Sequence, residues 1–298
     1  MHSEDFKDRF WKGKSIKLKK LYFENGQGRV DMFLGGAGPV RVTSLSGFGN
    51  PAKKYSTVVF EGKSGQKTLS SNAMPRTIII SGDVNTKDKN TMKNMFKVLD
   101  EPGWLYVDFG EKKKKIYCNQ VNLEDGAHKG NYMNFVLSMT ADEVFFLDIE
   151  QTDISVFIKE GTILNKVIFP CILTRKITEA TINNYGEENV EPVITICNYY
   201  SKIVEEDDTI IILNDTTGQK IELVVGMEEN EIITIDIKNR KVLSSVKGNI
   251  TSDISDDTYL NRFWLCPGEN LLKASHNNLE QEISVVCSYF SNYREAIC

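Results

Sequence analysis

Three histidines, His2, His128 and His276, are the chain's only side chains whose ordinary titration falls near neutral pH. A Ser-His-Asp or Cys-His relay would rest on His128 or His276, because His2 sits at a terminus expected to fray. Both stand in polar contexts, "DGAHKG" and "KASHNN", which read as solvated loops. Gly-Lys-Ser occurs at 13–15 and again at 62–64, yet the glycine that a phosphate loop needs five positions earlier is replaced by Asp8 and Thr57. "GGAGP" (35–39) lacks the strand-to-helix setting that offers a phosphate free backbone amides, and reads as a loop.

Carboxylates gather at Glu205-Glu206-Asp207-Asp208 and at Asp253, Asp256 and Asp257, residue types suited to calcium or to a glycosidase pair. Neither group has the alternating ligand spacing around a central glycine, so charged turns are expected. Six cysteines (Cys118, Cys171, Cys197, Cys266, Cys287, Cys298) form no C-x-x-C pair; the reading is free thiols from a reducing cytosol. Lys112 to Lys115 read as a solvated hairpin tip, or as a contact with an acidic neighbour. The expectation is a chain with no catalytic residue, no metal and no cofactor, and hence not an enzyme.

The elements around these residues are mostly strands. "IKLKKLYF" (16–23) and "RVDMFL" (29–34) read as a hairpin turned at Asn25-Gly26; "STVVFEG" (56–62) and "RTIIISGDV" (76–84) follow as strands. One helix is predicted over 88–99, where Met92, Met95, Phe96 and Leu99 share a face, Asp88 stands at the start and Pro102-Gly103 follow the end. Strands 103–110, 114–124 and 131–143 complete this half, and 145–165 reads as the connection to the next. Further strands are expected at 177–184 answered by 190–198, at 209–215 and 219–225, at 230–238 turning at Asn239, at 259–265, and at 282–290. Their spacing suits a sandwich or jelly-roll.

The stretch "RFWLCPGENLL" (262–272) sets two aromatics beside a Pro-Gly turn. As a strand it points Phe263 and Leu265 to one face, Arg262 and Trp264 to the other. Trp264 beside Arg262 then either stacks on a sugar or packs in an interface, or is buried against a second sheet. Leu265, Leu271 and Leu272 are expected in the core.

Residues 1–150 carry 23 Lys+Arg against 18 Asp+Glu, and residues 151–298 carry 13 against 23. That reversal divides the chain into two domains, 1–150 and 151–298, and fits complementary neighbours in an assembly. The net charge of -5 disfavours sequence-specific nucleic acid binding. The sequence has no apolar run of membrane-spanning length and no secretory h-region near Met1, so neither membrane residence nor export is expected.

The hairpin at 16–34, "LSGFGNP" (45–51), the Gly-Lys-Ser-Gly loop before "MPRTIIISGDV", the lone helix and "NFVLSMTADE", followed by "ATINNYGEENVEPVITI", "TIDIKNRKVLSS" and "FWLCPGENLL", resemble in their order the distal tail proteins of long-tailed, siphovirus-type phages and of phage-tail-like bacteriocin particles. Tyr185 departs from the pattern by separating Asn184 from Gly186. The resemblance implies a mainly β chain: an N-terminal split β-barrel with one helix, and a C-terminal galectin-like or jelly-roll β-sandwich. It implies a homohexamer ring in the virion tail tip or baseplate, made in the host cytoplasm. Its partners would be the tail tube protein, a tail-tip or tail-associated protein, and a receptor-binding or peripheral baseplate protein. For the ring contact, the face of "RTIIISGDV" with Arg76, Ile78 and Ile80 is the candidate. The rival reading is a carbohydrate-binding module that engages host cell-wall polysaccharide through Trp264, with Arg262, or through Tyr199 or Tyr200; a glycosidase comes third.

Overall fold

The structure, a computed structural model, describes residues 18–34, 38–62, 64–110, 112–163, 172–177, 179–198, 204, 208–277 and 283–296. The chain divides into two compact units: the first is Met1–Ile149 with Tyr293–Cys298, the second is Glu150–Asn292. It is mainly β.

In the first unit β1 (Lys20–Asn25) and β2 (Gly28–Leu34) form the expected hairpin, joined by Gly26 and Gln27. The left-handed residue is Gly28 (φ 140°) rather than the Asn25-Gly26 step. Asn25 instead closes the turn with its side chain, whose Oδ1 accepts from the Gln27 amide at 3.0 Å. β3 (Val40–Ser46), β4 (Lys53–Val58), β5 (Lys67–Ala73) and β6 (Arg76–Asn85) precede α1 (Lys89–Val98). β7 (Gly103–Asp108), β8 (Lys113–Cys118), β9 (Gln120–Lys129), β10 (Tyr132–Ala141) and β11 (Phe146–Asp148) follow, and β23 (Asn292–Tyr293) returns at the end of the chain. The strand expected over 114–124 breaks at Asn119 into β8 and β9.

These strands, β4 and β5 excepted, make one ten-stranded sheet in the order β23-β11-β8-β7-β1-β2-β3-β6-β10-β9. Its two antiparallel halves meet where β2 and β3 run parallel for two residue pairs, Phe33 with Arg41 and Leu34 with Val42. Between Val42 and Ser44 the β3–β6 register slips, and Gly82 lies beneath that bulge: a Cβ there would come within 2.0 Å of the Arg41 carbonyl.

Alternation delivers the core. Leu21 and Phe23, Ile78 and Ile80, Leu105, and Phe135 and Leu137 are almost wholly buried. Each large side chain contributes about 1.5–3 kcal/mol relative to exposure. Helix α1 packs on β1 and β2 through Met95, Val98 and the following Leu99, while Phe96 is exposed. The 92/95/96/99 stripe expected from the sequence is therefore centred one position further round. The helix is held at both ends: Asp88 accepts from the Thr91 amide (3.0 Å) and hydroxyl (2.6 Å), and Asn25 donates to the carbonyls of Val98 (2.8 Å) and Glu101 (3.2 Å).

The second unit is a two-sheet sandwich around one core. β12 (Thr152–Ile163) begins within the segment expected to be a mere connection. With β13 (Ile172–Ile177), β15 (Val193–Asn198), β18 (Ile232–Asp236), β19 (Lys241–Ser244), β20 (Gly248–Asn249) and β22 (Ile283–Tyr289) it forms a seven-stranded sheet in the order β13-β12-β22-β15-β18-β19-β20. The facing sheet is β14-β21-β16-β17, built from β14 (Glu179–Asn184), β16 (Thr209–Asn214), β17 (Gln219–Val224) and β21 (Gly268–His276). Ile194, Ile235 and Val285 of the first sheet share a core with Ile182, Ile212 and Leu272 of the second.

The β16–β17 and β18–β19 hairpins form as expected, the latter turning with Arg240 at φ 54°. β14 and β15, expected to answer one another, lie in opposite sheets: β14 pairs with β21, and β15 with β18 and β22. The segment expected as a strand at 259–265 is a 3-10 turn, Leu260–Arg262, followed by a single bridge between Leu265 and Val190.

Candidate functional site

Among the described residues, those the sequence offered for catalysis or metal binding do not gather into one site. Among the described residues no group of three His, Cys, Asp or Glu side chains is placed to hold a metal ion. His128 lies exposed on β9, opposite Met133. His276 ends β21 and is buried, its Nε2 3.9 Å from Asp208; it is not the solvated loop residue the sequence suggested. Glu205, Glu206 and Asp207 lie outside the described residues, as do the Gly-Lys-Ser at 13–15, Lys63, residues 35–37, Cys171, Cys298, Tyr199 and Tyr200. Burial pushes the Cys118 and Cys287 thiols up to about 12, which keeps both protonated and inert.

Arg76, Ile78 and Ile80, the sequence's candidate ring contact, face inward with exposures of 3%, 0% and 0%. The outward residues of β6 are Thr77, Ile79 and Ser81, with Ile79 39% exposed. Arg76 belongs to the interior because its guanidinium donates to four main-chain carbonyls: Gly47 (2.6 Å), Gly49 (2.6 Å), Val144 (2.9 Å) and Arg294 (2.6 Å). Burial lowers its pKa to about 10, so it stays charged at neutral pH, with the Phe146 ring beneath it. Lys114, in the run expected at a solvated tip, is also buried, donating to the Glu295 carbonyl at 2.9 Å above the Tyr293 ring. Two buried cations thus bind the last described residues, 293–296, into the first unit.

The segment with Trp264 and Arg262 is held from below by three buried asparagines. Asn270 Oδ1 accepts from the Cys266 amide (2.8 Å), while its Nδ2 donates to the carbonyls of Cys266 (2.7 Å) and Gly268 (3.0 Å). Asn214 donates to the Trp264 carbonyl (2.8 Å), and Asn184 to that of Leu265 (3.2 Å). Phe263 and Leu265 are buried, Trp264 is half-buried, and Arg262 is exposed, stacking on Tyr259 at 4.8 Å. Leu272 enters the core as expected, whereas Leu271, next along β21, turns outward.

The feature sequence reasoning missed is the ribbon β4–β5. It pairs only with itself, and nearly every residue in it is exposed. Tyr55 (59%), Leu69 (64%) and, just past β4, Val59 (69%) and Phe60 (48%) stand in solvent. Its alternation resembles that of any half-buried strand, so the pattern could not say that no core lies beneath it. A two-stranded ribbon is at best marginal in water on its own.

No family model matches the chain, and no curated relative does. Among solved structures it is similar to the Dit protein of phage SPP1, described as a paradigm of the hub adsorption apparatus in phages infecting Gram-positive bacteria. The two are 12% identical, with a TM-score of 0.59 over 84% of this chain and 92% of that one. A subunit of the phage P2 baseplate in its activated conformation with calcium matches at 12% identity and a TM-score of 0.44, over 90% of this chain and 97% of that one. The chain shares the fold of the SPP1 protein.

Proposed function

We propose that this chain is a structural hub of a phage tail tip or baseplate, a homohexameric ring that joins the tail tube to the tail-tip and peripheral receptor-binding proteins. The first unit forms the ring, and the second carries the outward contacts, among them the segment with Trp264 and Arg262. The chain would be made in the host cytoplasm and reside in the virion tail.

The observation that carries this reading is the β4–β5 ribbon, whose apolar side chains find no cover among the described residues. A head-to-tail contact repeated by rotation closes a ring and covers every ribbon at once. β9 offers a ten-residue strand at the sheet edge, and Ile79 and Val136 (40% exposed) an apolar spot on the β6–β10 face, for a neighbour to meet. Likeness of fold to a hub protein supports the same reading.

Negative-stain imaging and native mass spectrometry test it: six copies of 33.8 kDa give a ring of roughly 200 kDa. Tyr55→Ser with Leu69→Ser leaves a folded chain that no longer closes the ring. A chain that stays monomeric at high concentration, with and without tail partners, overturns the proposal.

A further inference from the structure

Two lysine runs far apart in sequence meet at one end of the first unit. The β1–β7–β8 register sets Lys20 opposite Asp108, and Asp108 opposite Lys113. The Lys19 amide donates to the Asp108 carbonyl at 2.7 Å, and the Phe109 amide to that of Lys112 at 3.0 Å. Lys20 and Lys113 thus flank Asp108 in register, with Lys19 and Lys112 next to them; all four lysines are exposed, on a chain whose net charge is -5. Beside them opens a groove of about 330 Å³, lined in part by Lys19, Lys20, Phe33, Leu34 and the Arg29–Asp31 ion pair.

Tyr22, Tyr106 and Trp104 are already engaged. Tyr22 is stacked on Tyr106 at 4.5 Å and covered by Arg29 at 3.8 Å, and Trp104 carries Lys115 at 5.0 Å. No open ring face is left on Tyr22 for a nucleobase, which disfavours a single-stranded nucleic acid as occupant. The lysines remain, and ammonium groups ask for carboxylates.

We infer that this basic end docks on the acidic second unit of another copy of the chain. The first unit holds 24 Lys+Arg against 18 Asp+Glu and the second 12 against 23, so copies attract through unlike units. Asp253, Asp256 and Asp257, with Asp256 and Asp257 exposed, are the matching acidic patch. The inference rests on the self-assembly reading but concerns a contact distinct from the ribbon.

Full-length chains carrying Lys19→Glu, Lys20→Glu and Lys113→Glu, and others carrying Asp253→Lys, Asp256→Lys and Asp257→Lys, provide the test by mass photometry. For the unaltered chain, association through this contact weakens at least tenfold between about 50 and about 500 mM NaCl. Each variant alone loses the salt-sensitive step, and mixing the two restores it, which also shows that both are folded. Association unchanged by charge reversal, or a mixture that stays apart while both variants unfold cooperatively, overturns the inference. A ring that persists in the ribbon variants would instead remove the ribbon as the ring contact, and absence of any ring would sink the ring reading, while the charge-reversal experiment reads this contact independently of both.

Discussion

Arg76 and Arg294 stand 218 positions apart, and Nη2 of the first donates to the main-chain carbonyl of the second at 2.6 Å. Removing that guanidinium strips the donor from four carbonyls at once. Arg76→Met is expected to lower the unfolding free energy by about 3–5 kcal/mol in urea titrations. Arg76→Lys recovers only part of this, since a single ammonium cannot reproduce the fork.

Asp88 caps α1, and its hydrogen bonds to the Thr91 side chain and backbone hold its pKa below the ordinary 3.8. A carboxyl depressed in the folded state contributes stability that is fully present above its unfolded value and is lost as pH falls through the folded one. The thermal midpoint should therefore decline below pH 3.8, and Asp88→Asn should flatten that decline in calorimetric scans.

The described cysteines differ in burial. Cys118 and Cys287 are buried with thiols pushed up to about 12, and Cys197 is buried too, whereas Cys266 is half-exposed at its turn. Brief alkylation of the native protein near pH 8, read by peptide mapping, should label Cys266 first and leave these three protected until denaturant is added.

Asn270 alone satisfies two carbonyls and one amide in the Cys266–Gly268 turn. Asn270→Ala should cost about 2–3 kcal/mol of second-unit stability, seen as a lower urea midpoint, because buried partners are left unpaired. Arg262→Ala, whose side chain is exposed, should move the midpoint little.

What the sequence revealed depended on how local each decision was. The β16–β17 turn is written in five adjacent residues, where Asn214 accepts from the Thr216 amide at 3.1 Å and its carbonyl accepts from Gly218 at 2.8 Å. Such hairpins can be read directly. β14 and β21 are joined instead by pairing within one sheet between residues more than 80 positions apart, Asn184 with Gly268 and Thr181 with Leu271, and no neighbouring residue records it. Arg76 misled for a related reason: an arginine on an alternating strand looks like a mark of solvent. Its four acceptors come from three distant stretches that only the fold assembles.

The order in which the chain leaves the ribosome follows from where its last described residues go. Everything from 150 to 292 is synthesised before 293–296, so the second unit has all of its strands while the first still lacks its closing piece. Until then Arg76 has no Arg294 carbonyl and Lys114 no Glu295 carbonyl to grip. A chain whose synthesis has not yet reached 293 therefore holds Arg76 and Lys114 without two of the carbonyls that engage them in the fold.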